Sequence, residues 1–266
     1  MICQGDTRLC ERTDLELPSF RMVNLDGVGE MRMLEVKKIN VRYDFLQVLW
    51  DISIALQKGE FVCLIGPNGA GKSTILKTIA GLICPVSGDI SFNGHRIAEL
   101  AADQIAKLGI SFVSEGLNLF TAMTVEENLA VGAFTVKDKV RKQKNADYVF
   151  ELFPRLRERR AQLAGTLSGG ERKMLAIGRG LMSNPALLLV DEPSLGLAPQ
   201  LAEAVLEALR GLNQTGLTIL LVEQNAVETL RAVTRGYVVE KGKIVLEGKS
   251  SDLSQNDHIR EVYLGV

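Results

Sequence analysis

The sequence predicts an α/β fold with a mostly parallel β-sheet core covered by helices on both faces. Short apolar runs, such as residues 61–65 and 186–190, are typical of strands buried on both faces. Helical periodicity lies between such runs, most clearly at residues 200–212. A glycine-rich loop directly follows the first run and precedes a helical segment. Strands that alternate with helices in this way are typical of parallel sheets.

Composition excludes several broad classes of protein. The chain has 266 residues, and its 46% hydrophobic content is enough for a sizeable core. Its formal net charge of -1 provides no global basic field for nucleic acid. No apolar run approaches the roughly 18 residues of a membrane helix, and no apolar stretch near the N-terminus indicates a secretory signal. The four cysteines lack metal-like spacing, which fits a reducing cytosol; they are Cys3, Cys10, Cys63 and Cys84.

The first half of the chain divides into an extension and a β-rich part. Residues 1–32 are polar and without periodicity, and we expect a disordered extension or a misplaced start codon. One domain then covers residues 33–266. Residues 34–43 and 48–56 alternate as strands of an antiparallel β subdomain, and residues 57–60 form a turn. The buried strand at residues 61–65 follows, then a helix at residues 73–80.

The second half begins with a charged helical region and returns to the α/β pattern. Residues 100–165 predict a helical subdomain, whose basic runs at 137–144 and 155–160 we interpret as solvated helix faces. Residues 186–190 and 217–222 predict strands on either side of the helix at 200–212. Two further strands then flank Lys241 and Gly242 as a hairpin.

The glycine loop has the spacing of a phosphate-binding loop, Gly66-x-x-x-x-Gly71-Lys72-Ser73. Glycines let backbone N–H groups face phosphates without a Cβ in the way, and the helix N-terminus adds a favourable partial charge. Lys72 is predicted to reach the β- and γ-phosphates of ATP, and the Ser73 hydroxyl to ligate Mg²⁺. The remaining residues predicted to contact the phosphates are Asn68, Gly69, Ala70 and Thr74.

Two carboxylates follow the apolar run at residues 186–190. A buried strand of a parallel sheet delivers them to its C-terminal edge, where α/β sheets bind ligands. Asp191 is predicted to hold Mg²⁺ through water, and Glu192 to polarise the attacking water as general base. The sequence therefore predicts ATP hydrolysis rather than ATP binding alone.

The segment Leu-Ser-Gly-Gly-Glu at residues 167–171, together with these motifs, resembles the ATP-binding cassette family from about residue 34 to the C-terminus. The resemblance implies that ATP is hydrolysed between two such domains. Ser168, Gly169 and Gly170 would then bind the γ-phosphate held by the partner. Tyr43 lies where the family places an aromatic ring that stacks on adenine; the alternative is an ordinary strand tyrosine.

Three positions depart from the general family pattern. Glu115 replaces the glutamine of the Q-loop and would act near the phosphates or on Mg²⁺; Gln224 replaces the switch histidine; and Ala198 replaces the aspartate of the D-loop. The amide of Gln224 can still donate to a γ-phosphate, but it cannot become an imidazolium. The only histidines are His95 and His258, and neither follows a strand of this type.

These three departures occur together in one subgroup of the ATP-binding cassette family, so the chain resembles the second ATPase subunit of branched-chain amino-acid importers. That resemblance implies a peripheral protein at the cytoplasmic face of the inner membrane. Its implied partners are a second ATPase subunit or a second copy, two membrane permeases and, indirectly, an extracytoplasmic solute-binding protein. The alternatives are a urea or short-chain amide importer, a soluble cassette protein of translation or DNA repair, and a regulator that binds ATP without cleaving it.

Overall fold

The computed structural model describes residues 32–261, which fold around two β-sheets. The predicted extension at residues 1–32 therefore lies outside the described residues, apart from Arg32. The strands, in chain order, are β1 (Arg32–Tyr43), β2 (Leu46–Gln57), β3 (Phe61–Ile65), β4 (Ser87–Phe92), β5 (His95–Arg96), β6 (Ile110–Val113), β7 (Leu187–Asp191), β8 (Thr218–Glu223), β9 (Arg235–Glu240) and β10 (Lys243–Lys249).

Helices connect these strands. In chain order the α-helices are α1 (Lys72–Ile79), α2 (Ala102–Lys107), α3 (Val125–Gly132), α4 (Lys139–Leu152), α5 (Pro154–Glu158), α6 (Gly169–Leu181), α7 (Pro199–Gln214), α8 (Ala226–Ala232), α9 (Ser250–Gln255) and α10 (Asp257–Ile259). Within residues 32–261, none of them combines the length and the apolar character that a bilayer crossing requires.

The larger sheet has six strands in the order β10-β9-β3-β8-β7-β6. All neighbours pair in parallel except β10, which forms an antiparallel hairpin with β9. Every residue of β3, β7 and β8 is buried, which explains why their sequences are apolar apart from Thr218 and the terminal carboxylates Asp191 and Glu223. The predicted mostly parallel core is confirmed.

Alternate residues of the parallel strands enter two separate hydrophobic clusters. On β3, Cys63 and Ile65 pack with residues of α3, α5, α6 and α7, whereas Val62 and Leu64 pack with α1 and the smaller sheet. Both faces of the sheet are therefore covered. Cys63 is fully buried, and this burial raises the pKa of its thiol to about 12, so the predicted packing role fits its surroundings.

The smaller sheet is antiparallel, with the strand order β2-β1-β4-β5. Strand β1 lies between β2 and β4, and Leu34, Val36, Ile39 and Val41 are its buried residues that face the core beside the buried Met33. This arrangement confirms the predicted antiparallel β subdomain. It also brings the end of β1 close to α1, where Tyr43 meets Thr74.

One strand lies within the region whose sequence pattern is mainly helical. Strand β6 pairs in parallel with β7 and forms the edge of the larger sheet, so residues 110–113 belong to the sheet. The run Ile-Ser-Phe-Val is too short for its periodicity to distinguish a strand from the end of a helix. A helical subdomain near residues 100–165 stays a prediction.

Candidate functional site

The phosphate loop, residues 66–73, connects the buried strand β3 to helix α1. Gly71 caps the helix with φ of 103°, and Gly69 has φ of 77°, both in the left-handed region. A Cβ on Gly71 would lie 2.5 Å from the side chain of Leu49, and one on Gly66 would overlap the carbonyl oxygen of Val239. The path of this loop therefore requires glycine at these positions.

The N-terminus of α1 has the features of an anion site. The first N–H groups of a helix have no intrahelical partner, and here no side chain caps them. The first turn contains no acidic residue that would repel an anion. A phosphate group could therefore accept hydrogen bonds from this turn without displacing a protein side chain.

Lys72 connects the phosphate loop to the second motif. Its ammonium donates hydrogen bonds to the carbonyl oxygens of Gly66, at 2.8 Å, and Pro67, at 3.1 Å. The same Nζ lies 3.5 Å from the Glu192 carboxylate, and the lysine side chain is only 3% exposed. Lys72 and Glu192 therefore form a buried ion pair directly beside the loop.

Ser73 and Asp191 are two of the three residues predicted to hold Mg²⁺, and the structure brings these two together. The Ser73 hydroxyl donates to Asp191 Oδ1 at 2.9 Å. Burial raises the pKa of Asp191, and the hydrogen bond from Ser73 opposes that increase. A hydroxyl and a carboxylate at this distance are hard oxygen ligands of the kind that Mg²⁺ prefers, so the residues fit this ion.

Glu192, the predicted general base, is held in an unusual backbone conformation. Its φ is 45°, in the left-handed region that non-glycine residues rarely adopt. Its N–H donates to the carbonyl oxygen of Val222 at 2.9 Å, and its own carbonyl accepts from Lys173 Nζ at 3.0 Å. Non-glycine residues with such strain are concentrated at functional sites.

The segment after β8 brings Gln224 to the same region. Gln224 is exposed and lines a cavity of about 220 Å³ together with Glu192, Ser194 and Glu223. Glu223 is 2% exposed and accepts hydrogen bonds from the backbone N–H groups of Ser194, at 2.8 Å, and Gln224, at 3.3 Å. Burial raises the pKa of Glu223. Sequence reasoning missed Glu223, because its burial depends on the tertiary structure.

Glu115 and Tyr43 lie at the margins of this region. Glu115 is exposed in the loop after β6, and its negative charge contributes to the raised pKa of Asp191. The Tyr43 hydroxyl is 3.4 Å from Thr74 Oγ1, and the residue is 44% exposed. Its ring is therefore accessible beside the phosphate loop, while adenine stacking stays a prediction.

The signature loop, residues 167–171, leads into α6 through a capping box. Ser168 Oγ accepts from the Glu171 N–H at 3.3 Å, and Glu171 accepts from the Ser168 N–H at 2.9 Å. The Ser168 N–H lowers the pKa of Glu171, and Arg159, which contacts its carboxylate at 2.6 Å, contributes. The spacing Ser-x-x-Glu was a signal for this cap, but the sequence prediction did not use it.

The signature loop is separate from the phosphate loop of its own chain. Across residues 32–261, no hydrogen bond or ion pair joins residues 168–170 to residues 66–74. Ser168 and Gly169 are exposed, and Gly170 is buried against Leu201 of α7. The structure therefore collects Lys72, Ser73, Asp191 and Glu192 in one place, with Glu115 at its margin, and leaves the signature residues outside it.

Comparison with known proteins agrees with this geometry. Residues 49–195 match the ABC transporter family. The chain is 48% identical to the high-affinity branched-chain amino acid transport ATP-binding protein BraG of Pseudomonas aeruginosa, over 88% of this chain and 100% of the relative. It is 37% identical to the probable branched-chain amino acid transport ATP-binding protein LivF of Archaeoglobus fulgidus, over 88% of this chain and 99% of that relative.

A solved structure shares the fold. It is the ADP conformation of an ATP-binding cassette of an ABC transporter, which superposes with a TM-score of 0.77 at 28% identity. The match covers 89% of this chain and 100% of that structure. The sequence match and the fold therefore identify the same kind of domain.

Proposed function

Because this chain belongs to the ABC transporter family, we propose that it is the ATP-hydrolysing subunit of an importer of branched-chain amino acids. The observation that supports the solute class is the 48% identity to BraG over the whole length of that relative. The alternative importers of urea or short-chain amides have no comparable support among these observations.

The proposed chemistry uses the groups beside the phosphate loop. The N–H groups at the start of α1 bind phosphate oxygens, and the Lys72 ammonium moves from the Gly66 and Pro67 carbonyls to the β- and γ-phosphates. Ser73 would hold Mg²⁺ directly and Asp191 would hold it through water, and the bound ion would neutralise charge on the phosphates. Glu192 orients the attacking water and accepts its proton.

In this proposal two subunits share each ATP. Ser168, Gly169 and Gly170 bind the γ-phosphate held by the partner, which fits their exposure and their separation from the phosphate loop of their own chain. ATP then contacts both subunits only in the closed dimer, so it stabilises that state. Gln224 adds an amide contact to the γ-phosphate, Glu115 acts near the Mg²⁺, and Tyr43 stacks on adenine.

The proposed membrane partners are two permease subunits, and an extracytoplasmic solute-binding protein acts only indirectly. A cavity of about 250 Å³ between β6, α3 and α6 offers a surface for a permease. Phe134, 62% exposed, and Val131, 38% exposed, line this cavity on one side. We place the protein at the cytoplasmic face of the inner membrane, without a role in nucleic-acid binding.

The first test is an affinity pull-down of the tagged chain from detergent-solubilised native membranes, followed by mass spectrometry. The expected result is a sister ATPase with two polytopic permeases. Ribosomal or DNA-associated proteins without any permease would contradict the transport proposal and favour a soluble cassette protein.

A matched pair of variants tests whether the cavity lined by Phe134 and Val131 binds a permease. Phe134→Glu should lose the permeases, whereas Val245→Glu, an equally apolar-to-charged change at an exposed site on β10, should retain them.

The solute is then tested by uptake of labelled leucine, valine and urea into vesicles that contain the complex. Uptake of urea but neither amino acid would contradict the proposed solute.

A further inference from the structure

Lys173 is a charged residue in an unexpected position. It lies in the first half of α6, within the run Glu-Arg-Lys that in sequence resembles a solvated helix face. Its neighbour Arg172 is exposed, but Lys173 is only 8% exposed. Lysine is rarely buried unless its ammonium has a specific partner.

The partner of Lys173 is the backbone of the proposed general base. Lys173 Nζ donates to the carbonyl oxygen of Glu192 at 3.0 Å. In the described part of the chain, this ammonium forms no ion pair within 4.0 Å. Burial lowers the pKa of Lys173, and the charges of four more distant carboxylates oppose that decrease; they belong to Glu223, Glu115, Glu192 and Asp191.

Glu192 needs such a partner because its backbone is strained. A left-handed conformation is unfavourable for a non-glycine residue, so it persists only where its surroundings fix it. The Val222 carbonyl fixes the N–H of Glu192, and Lys173 fixes its carbonyl. The Glu192 side chain can then reach Lys72, 3.5 Å away, beside the phosphate loop.

We propose that Lys173 is a positioning residue that holds the Glu192 backbone, so that the Glu192 carboxylate points at the γ-phosphate side of the loop. This inference rests on the proposed role of Glu192 as general base. Lys173 does not touch the nucleotide and acts only through Glu192.

The position of Lys173 on α6 has a further consequence. The same helix begins with Gly169 and Gly170, which we propose to bind the nucleotide of the partner subunit. A shift of α6 on that contact would move Lys173 and, through one hydrogen bond, the Glu192 backbone. The hydrogen bond therefore connects the signature loop of a subunit to the general base of its own ATP site.

The test compares Lys173→Met, which keeps the apolar stem, with Lys173→Arg and the control Arg172→Met in the full chain. Lys173→Met should lower kcat for ATP hydrolysis about tenfold, because a displaced general base loses much of its effect. The KM for ATP and the affinity for ATP should stay within about twofold, since Lys173 is not a binding group. Lys173→Arg should restore most of kcat, and Arg172→Met should leave kcat unchanged.

A double-mutant cycle with Glu192→Gln separates positioning from a general structural role. If Lys173 acts through Glu192, adding Lys173→Met to Glu192→Gln should lower turnover by less than about twofold more. A further tenfold loss, or a matching loss of ATP affinity and thermal stability in Lys173→Met alone, would overturn the inference.

The cycle also distinguishes failure of this inference from failure of the proposed chemistry. If Glu192→Gln retains wild-type turnover, then Glu192 is not the general base, and the positioning role of Lys173 is wrong as well. If Glu192→Gln loses turnover by about two orders of magnitude or more but Lys173→Met keeps it, only the positioning role of Lys173 is wrong.

Discussion

The chain contains two glycine loops that each lead into a helix, and they are built in opposite ways. At the phosphate loop, Gly71 caps α1 in a left-handed conformation and no side chain satisfies the helix N-terminus. At the signature loop, Ser168 caps α6 in an extended conformation, and its capping box with Glu171 satisfies two backbone groups.

The glycines of the two loops consequently serve different needs. At the phosphate loop, Gly66 and Gly71 are required by the loop's own path, since added Cβ atoms would collide with Val239 and Leu49. At the signature loop, a Cβ on Gly169 would meet only the Leu197 side chain, at an ordinary 3.8 Å. The fold does not demand glycine at position 169, so we attribute it to the close approach of something outside the chain.

The largest expected effect comes from Lys72→Ala, which removes the cation of the phosphate loop. We expect turnover to fall by about 10²–10³-fold, because a positive charge directed at the transferred phosphoryl group is lost. ATP binding by the isolated chain should also weaken, as measured by calorimetry. Lys107→Ala, which removes an exposed lysine paired with Asp103, is the control and should change neither quantity. Unchanged ATP binding in Lys72→Ala would place the triphosphate elsewhere.

The matched pair Gly71→Ala and Gly169→Ala sharpens the comparison directly. Gly71→Ala should destabilise the fold by about 1–2 kcal/mol from its positive φ alone and weaken ATP binding by the isolated chain. Gly169→Ala should leave thermal stability and ATP binding intact, because the added methyl group meets Leu197 at an ordinary 3.8 Å. Turnover should fall about tenfold, because in the proposed dimer this methyl group would obstruct the γ-phosphate held by the partner. Equal losses of ATP affinity in both variants would show that both loops serve the same nucleotide in one chain.

A smaller effect is expected at Gln224, which faces the cavity beside Glu192. Gln224→Ala should cost several-fold in turnover, less than Lys72→Ala, because it removes one neutral amide donor rather than a charge. In the wild-type protein and in Gln224→Ala alike, residue 224 should add no pH dependence to turnover near neutral pH, since an amide does not ionise. Kinetic measurements across that pH range test both statements, and equal losses in Gln224→Ala and Lys72→Ala would contradict the first.

The smallest expected effect is on stability and concerns Glu171 of the signature loop. The pKa of Glu171 is lowered below its usual 4.5, so its ionised form stabilises the folded state above that pH. That contribution should be lost as pH falls through the lowered pKa. Glu171→Gln keeps a capping acceptor and removes only the charge, so it should cost about 0.5–1 kcal/mol near neutral pH and almost nothing in acid. Urea unfolding of the wild-type protein and Glu171→Gln, at neutral pH and at a pH below the lowered pKa, measures this difference in the free energy of unfolding. A difference that persists at the acidic pH would rule out a role for the charge.

Much of the phosphate side could be predicted because its signals are local in sequence. The motif Gly-x-x-x-x-Gly-Lys-Ser followed a predicted strand and preceded a predicted helix, and both elements are confirmed as β3 and α1. The position of Asp191 and Glu192 at the end of a buried strand could be predicted because residues 187–190 of β7 are an uninterrupted apolar run.

The remaining features depend on tertiary burial, which sequence patterns do not report. Strand β6 has only the residues Ile110–Val113, and its identity comes from pairing with β7. Lys173 is buried only because α6 packs over the end of β7, where the Glu192 carbonyl lies. The left-handed φ of Glu192 likewise has no signature in the residue type, because it is fixed by contacts from Val222 and Lys173.

The buried thiol of Cys63 makes strand β3 a natural reporter of local opening. Only a thiolate reacts quickly with an alkylating reagent, and a fully buried group with a pKa of about 12 is almost never ionised in the folded protein. Labelling of Cys63 therefore measures how often the central strand separates from its neighbours, and peptide mapping distinguishes it from labelling of the exposed Cys84. Because β3 runs directly into the phosphate loop, nucleotide that binds the closed sheet should slow the Cys63 reaction in proportion to its occupancy.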